Sequence, residues 1–353
     1  MNERLLAHFA EQAGFCTALG SPFTGELVER MREDIIAGGP TAALVADWPG
    51  NPRADAVALR LTGAAHAGVL TGRDPALAAL YPAHNPNWRM SEVWPAVRAL
   101  FEREYDWVRD FIRSAPQTNE TRRSIALLAC FLTFARDWRG PTDMLELGAS
   151  AGLNLHWDKF AYRPNGWSWG ADSPVVVDTN WNGPPPPVDV VPHIRNRAAC
   201  DLNPLDVRDD AQVLRLKSYI WPDQPDRIAR FEGAVALARA NDVRVERADA
   251  AEWIARKLDE RAQDAATIVY HSVFLQYPPR EARAAIAAAI ESAGARATSS
   301  APLAWVRLEP EGLFGGEINS ARMVFDLVSW PGAERRILGY ADGHVRRVDA
   351  AQR

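Results

Sequence analysis

The sequence predicts an α/β fold: a mostly parallel sheet with an antiparallel last strand, preceded by an α-helical N-terminal domain. Three observations predict it. Up to about Trp138 the apolar residues recur at helical steps, most clearly at Val97, Leu100, Phe101, Tyr105, Val108, Phe111 and Ile112. Gly140-Pro141 then punctuates the chain, and beyond it short apolar runs alternate with helical patterns, the signature of a parallel sheet covered on both faces. The last two runs have only Pro331-Gly332 between them, which predicts an antiparallel hairpin that closes the sheet. The expected division is therefore 1–140 for the helical domain and 141–353 for the α/β domain.

Within the helical part, Ser124 to Phe134 is apolar on nearly all faces, which predicts a buried helix. The expected strands are Met144 to Leu147, Ile194 to Cys200, Val243 to Arg247, Thr267 to Tyr270, Leu303 to Leu308, Met323 to Ser329 and Arg336 to Tyr340. Between them, helix patterns occupy Gln212 to Ile220, Arg227 to Ala240, Ala250 to Arg261 and the Ala-rich Glu281 to Ala297. One stretch, about 162–192, departs from the alternation. It carries Trp167, Trp169, Trp181 and Pro184 to Pro187, and reads as an inserted loop with a polyproline stretch that has the makings of a lid.

Composition narrows the function classes. With 353 residues, 47% of them hydrophobic, and 40 basic against 45 acidic residues for a net charge of −5, the chain is expected to be globular, with no general electrostatic drive toward nucleic acid or an anionic membrane. Cys16, Cys130 and Cys200 are far apart and suggest neither a disulfide framework nor a zinc site, so a reducing cytoplasm is expected. Charges interrupt the N-terminal apolar residues, which argues against a signal peptide, and the most apolar window, Ile125 to Phe134, is far short of the ~20 residues of a membrane span.

The chemistry centres on Met144-Leu-Glu-Leu-Gly-Ala-Ser-Ala-Gly-Leu-Asn-Leu155, read as a buried strand, a glycine turn and a helix start. Two chemistries fit it. Glu146, Gly148, Ser150 and Gly152 have the layout of the first loop of an S-adenosylmethionine (SAM) site, and Gly148-Ala-Ser-Ala-Gly152 also spells the G-x-S-x-G elbow of a serine hydrolase. A SAM site requires close backbone approach, which glycines allow, and acceptors for the ribose hydroxyls and the adenine amino group. Asp201, followed by Leu202 after the second expected strand, is the candidate for the ribose. Asp249, followed by Ala250 where a strand ends and a helix begins, is the candidate for the adenine. Asp249 with Glu252 is equally a capping box, Gly148 and Gly152 equally suit any tight strand-to-helix turn, and Glu146 equally suits a buried, locally paired acid.

The order Glu146-x-Gly148-x-x-x-Gly152, then Asp201, then Asp249, then a strand ending in His271-Ser272, resembles class I SAM-dependent methyltransferases from about Thr142 onward, although Ala149 and Ser150 stand where that family's loop is more glycine-rich. Over essentially its whole length the chain resembles DUF2332, a family of uncharacterised bacterial proteins. The stretches that carry this resemblance are Leu145 to Leu155, Cys200-Asp-Leu-Asn-Pro-Leu-Asp206, His271-Ser-Val-Phe-Leu-Gln-Tyr277 and Gln117-Thr-Asn-Glu120. The methyltransferase resemblance implies a Rossmann-like class I methyltransferase sheet, SAM as cofactor and a small-molecule acceptor. The DUF2332 resemblance implies no activity.

Methyl transfer is an in-line displacement that needs alignment and exclusion of water, plus a base where the acceptor must lose a proton. His271, at the end of the fourth expected strand, is the candidate for a base or for orienting the acceptor, and it also lies where the methyl group would be presented. Glu120 either caps the buried helix or reaches substrate, with Asn119, Arg122 and Arg123 beside it. His66 and Arg73 are further pocket candidates. Trp157, Trp167, Trp169 and Trp181 could clamp an acceptor or simply pack.

The hydrolase alternative would complete its triad with Asp249 or Asp326 and His271 or His344. Topology weighs against it, because such enzymes place several strands before the nucleophile, whereas here only weak strand candidates near Ala43 to Ala46 and Ala56 to Leu61 precede Ser150. The reading is thus a SAM-dependent methyltransferase acting on an unidentified small molecule. The first alternative is a non-catalytic, methyltransferase-like ligand-binding protein, and the next is a serine hydrolase.

Overall fold

A computed structural model describes residues 3–242, 244–316 and 322–352. The chain begins with helices α1 (Glu3–Ala18), α2 (Pro22–Ile36), α3 (Pro40–Val45), α4 (Val57–Leu70), α5 (Pro75–Leu80), α6 (Met90–Arg103), α7 (Tyr105–Phe111) and α8 (Ser124–Asp137). Strands β1 (Pro141–Leu147), β2 (Ala161–Tyr162), β3 (Val176–Val177), β4 (Asn180–Asn182) and β5 (His193–Asp201) follow. Next come α9 (Asp210–Ser218), α10 (Pro225–Arg239), β6 (Val245–Arg247), α11 (Ala250–Asp259), β7 (Ala266–Ser272) and α12 (Arg280–Ala295). The chain ends with β8 (Leu303–Pro310), β9 (Met323–Trp330), β10 (Glu334–Ala341) and β11 (Arg347–Ala350). Val243, expected to open a strand, lies outside the described residues.

Two compact units divide the chain. The first comprises residues 1–118 and 209–229, the second 119–208 and 230–353. In the first unit the helix starts are chemically specified: Ser21 accepts from the Thr24 amide ahead of Pro22, and Asp74 accepts from the Leu77 amide ahead of Pro75. Its core gathers Phe9, Phe23, Leu27, Leu61, Val97, Leu100 and Phe101 together with Tyr219 from the returning segment. The segments near Ala43 and Ala56, weighed as weak strands, are helical, as α3 and the start of α4.

The second unit is built on a nine-stranded sheet in the order β4-β11-β10-β9-β8-β7-β1-β5-β6. Strands β6, β5, β1, β7 and β8 pair parallel to one another, and β9 and β10 are antiparallel additions. The hairpin predicted at Pro331-Gly332 joins β9 to β10, but it does not close the sheet. Beyond β10 lie β11 and then β4, the latter contributed by the tryptophan-rich insertion. Nearly every position of β7 and β8 is buried, which explains why both read as apolar runs without alternation. Helix α8 packs on β8 and β9, and all of Ser124 to Ala135 is buried, as its all-round apolarity predicts. Helices α11 and α12 pack on each other, and the apolar cluster there includes Trp253, Ile254, Ile286, Ile290, Trp305 and Trp330. Among the described residues no helix is long and apolar enough to cross a membrane.

Candidate functional site

Parallel strands bring their carboxyl ends to one edge of a sheet, and open α/β sheets receive ligands there, where the strand order reverses. Here the reversal falls at β1, flanked by β5 on one side and β7 on the other. The Gly148–Gly152 turn leaves β1 at that point. Gly148, Ser150 and Gly152 all have positive φ, at 66°, 55° and 72°. Glycine takes that conformation freely, and Ser150 is held in it from both sides. Its amide donates to Asp201 Oδ2 at 2.8 Å, and its carbonyl accepts from the Leu205 amide at 3.2 Å. Ala149 N donates to Cys200 O at 3.1 Å. The loop after β1 is thus fastened to the end of β5.

Asp201 joins the two. While Oδ2 holds Ser150, Oδ1 accepts from the Asn203 amide at 2.8 Å, and an ionised carboxylate retains further lone pairs beyond these two bonds. Leu202 beside it is 67% exposed, an apolar surface offered at the sheet edge. At the end of β6, Asp249 Oδ1 accepts from the Ala251 and Glu252 amides at 2.8 and 3.2 Å, so the capping role is realised on an exposed residue, with Ala250 as the first residue of α11.

Glu146 sits at the end of β1, 3% exposed, and its Oε2 accepts from the Tyr270 hydroxyl at 3.2 Å. Burial pushes its carboxyl up to about 8, so near neutral pH it is largely an uncharged acid. Burial likewise raises the Tyr270 hydroxyl well above its usual range.

The stretch Asn119–Glu120 also reaches this loop. Asn119, with φ at 41°, accepts from the Leu153 amide at 2.9 Å through Oδ1, and the Glu120 carbonyl accepts from Asn154 Nδ2 at 3.4 Å. Glu120 Oε1 accepts from the Arg122 amide at 3.0 Å, capping the helical turn before α8. Of the two roles expected for Glu120, capping is the one its geometry realises. Asn154 Oδ1 is a buried acceptor with no hydrogen-bond partner among the described residues.

His271 lies inside the sheet unit's core. It is fully buried, Nδ1 lies 2.6 Å from Glu309 Oε1, and Nε2 lies 3.0 Å from Trp305 Nε1. An indole N–H only donates, so Nε2 is the acceptor and the imidazole proton lies on Nδ1, donated to Glu309. Both ring nitrogens are therefore engaged within the core. The same engagement removes it as the partner of Ser150. Asp326, the other proposed triad acid, is taken by Arg307 and Arg335.

Glu309 was not foreseen. It is fully buried at the end of β8, and besides His271 it accepts from the Phe274 amide at 2.8 Å and the Leu275 amide at 3.2 Å. It thereby secures the loop after β7, where Val273 has φ at 53°. Phe274, on that loop, packs its ring against Gly148, where a side-chain methyl would collide with it. A detectable signal existed in the sequence: an acid in Leu308-Glu-Pro310 ends an apolar run, as Asp201 does.

The remaining candidates have structural partners. His66 Nδ1 lies 3.2 Å from the Ser218 carbonyl and its ring stacks on Tyr81, with burial lowering its pKa to about 4. Arg73 pairs with Glu104 and lies over Trp107. Trp157 is buried between Phe131 and Trp169, Trp181 packs on Phe325, and Trp167 meets Trp181 edge to face, so packing accounts for these rings. Among the described residues no group of three His, Cys, Asp or Glu side chains is arranged to hold a metal.

For SAM the residues fit in part. The acids at the ends of β5 and β6 and exposed Leu202 suit a ligand bearing hydroxyls and an aromatic base, whereas the acceptor of Asn154 is buried. The space beside Gly148 that a side chain would enter is filled by the Phe274 ring.

By fold the molecule is a mixed α/β protein with a large, mostly parallel sheet. It belongs to the family described as "Uncharacterized protein conserved in bacteria (DUF2332)", which matches residues 7–350. No curated protein and no solved structure matches it.

Proposed function

We propose that the protein is a SAM-dependent methyltransferase acting on a small molecule, with a Rossmann-like sheet of the class I type. The observation that carries this reading is the hydrogen bond from the Ser150 amide to Asp201: the glycine turn after the first parallel strand and the acid ending its neighbour meet at the point of strand reversal. The parallel strands, numbered by their order in the chain, run third, second, first, fourth, fifth across the sheet, which supports the same reading. Asp201 would hold the ribose hydroxyls beside Leu202, Asp249 with Ala250 would face the adenine, and Gly148, Ser150 and Gly152 would line the amino-acid end, with Glu146 beneath them. When bound, SAM supplies an electrophilic methyl group on a sulfonium. The chain's contribution is binding, alignment and exclusion of water.

The engagement of both His271 and Glu120 favours a second reading, a methyltransferase-like protein that binds the ligand without catalysing transfer. It also leaves the hydrolase with little support. Calorimetric titration of the protein with SAM and with its demethylated product tests the shared cofactor assignment. Saturable binding is expected, weakened about tenfold or more in Asp201→Ala. No heat from either ligand would remove both readings. Methylated product from a panel of small acceptors separates the first reading from the second.

A further inference from the structure

A second cluster in the sheet unit brings two guanidiniums to one buried carboxylate. Arg307 and Asp326 face each other in register on β8 and β9 and form a two-point ion pair, Nε to Oδ1 and Nη2 to Oδ2, each at 2.7 Å. Asp326 is fully buried and the Arg307 side chain is 8% exposed. That pair is already neutral and geometrically complete. Arg335, on β10, also donates from Nε to Asp326 Oδ2 at 2.7 Å, so two guanidiniums converge on one carboxylate oxygen, with the Glu309 carboxylate two residues further along β8. Removing charge from water is costly unless it is compensated, and here the only appreciable exposure is that of Arg335, at 40%.

Aromatic rings flank both guanidiniums. The Arg307 guanidinium lies 4.5 Å from the Trp305 ring centroid and 4.6 Å from that of Phe314, and Arg335 lies 5.4 Å from Phe314. Among the described residues, neither Arg307 Nη1 nor either Nη of Arg335 makes a hydrogen bond. Among the described residues these guanidiniums thus lie against aromatic rings and keep nitrogens that make no hydrogen bond.

We propose that Arg307 and Arg335 form a subsite for an oxyanion group, a carboxylate or a phosphate, of a small-molecule ligand. Planar guanidiniums with free nitrogens match either group, and Asp326 with Trp305 and Phe314 prepays the ordering of the side chains. Arg307 pairs in register with His271 near the carboxyl end of β8 and shares a sheet face with Glu309, so a ligand anchored there lies toward the edge where the candidate site opens. This inference does not depend on the methyl-transfer reading.

Titrating the full chain calorimetrically with inorganic phosphate, and separately with succinate, tests it. Saturable binding of at least one is expected, and which one binds tells the phosphate source from the carboxylate source. The affinity should fall about tenfold or more in Arg335→Ala, whose circular dichroism should match the parent because the side chain is largely at the surface. Should that variant fail to fold, Arg335→Gln serves in its place. Absence of saturable heat from both anions, or unchanged affinity in the folded variant, overturns the proposal.

Discussion

Glu146 is a carboxyl group whose chemistry is set by where the strand puts it. In the unfolded chain it titrates near 4.5, and in the fold burial moves it to about 8. Between those values the native state holds a proton that the unfolded state has lost. Its contribution to stability is therefore complete below about 4.5 and disappears as pH rises toward about 8. Glu146→Gln, which keeps the shape of the neutral acid and its acceptor for Tyr270, should flatten this dependence. Thermal unfolding midpoints of parent and variant should differ little at pH 5, and the variant should be the more stable at pH 8. A parent whose midpoint relative to the variant does not decline over that interval would show that Glu146 is ionised in the fold. The sequence marked this residue as an acid before a glycine turn, but its charge state was not legible there. Desolvation depends on Tyr270 and on the strands at either side, which only pairing brings close.

At the scale of the element, the loop after β7 is held by a group from another strand. Val273 adopts a left-handed conformation, costly for a β-branched residue by about 1–2 kcal/mol, and Glu309 offsets this by accepting from the two following amides. The reward is the placement of Phe274 on Gly148. Gly148→Ala should destabilise by about 1–2 kcal/mol from its positive φ alone, and by more because the added methyl displaces the Phe274 ring. In the Phe274→Ala background that extra cost should vanish, giving a coupling of about 1 kcal/mol in a double-mutant cycle read by urea unfolding. Additive effects would mean the ring does not rest on the turn. The elements themselves were largely legible: the apolar runs from Met144 to Tyr340 correspond to β1 and β5 through β10. Legible too was the turn at Gly148–Gly152. The short strands β4 and β11 were not, because three or four residues carry too little pattern to distinguish a strand from a loop.

For the whole molecule, the tryptophan-rich insertion contributes one strand, β4, to the main sheet, while β2 and β3 pair in a small sheet of their own. Strand β4 pairs with β11, Trp181 packs on Phe325, and its indole N–H donates to the Pro184 carbonyl at 3.0 Å. Trp169 similarly donates to Val190 O at 2.9 Å, so each proline-flanked turn supplies an acceptor to a buried indole. A side chain fixed in this way contributes to global stability. Trp181→Ala should cost about 3–5 kcal/mol in urea unfolding, whereas a ring on a mobile cover would cost little. Reach along the chain explains why this was not visible beforehand: β4 and β11 are separated by most of the sheet unit, and no local pattern reports a pairing at that distance.

What the sequence determined by itself is the alternation of strand and helix, the buried character of α8, the glycine turn and the acids at the strand ends, because these depend on periodicity and on the conformational limits of individual residues. Only the tertiary structure decided that Ser150 meets Asp201, that His271 is spent on Glu309 and Trp305, and that Arg335 joins Arg307 on Asp326. Those outcomes are set by which side chains face each other across paired strands, and a carboxylate or an imidazole has the same letter whether its partner is a neighbour in space or a ligand.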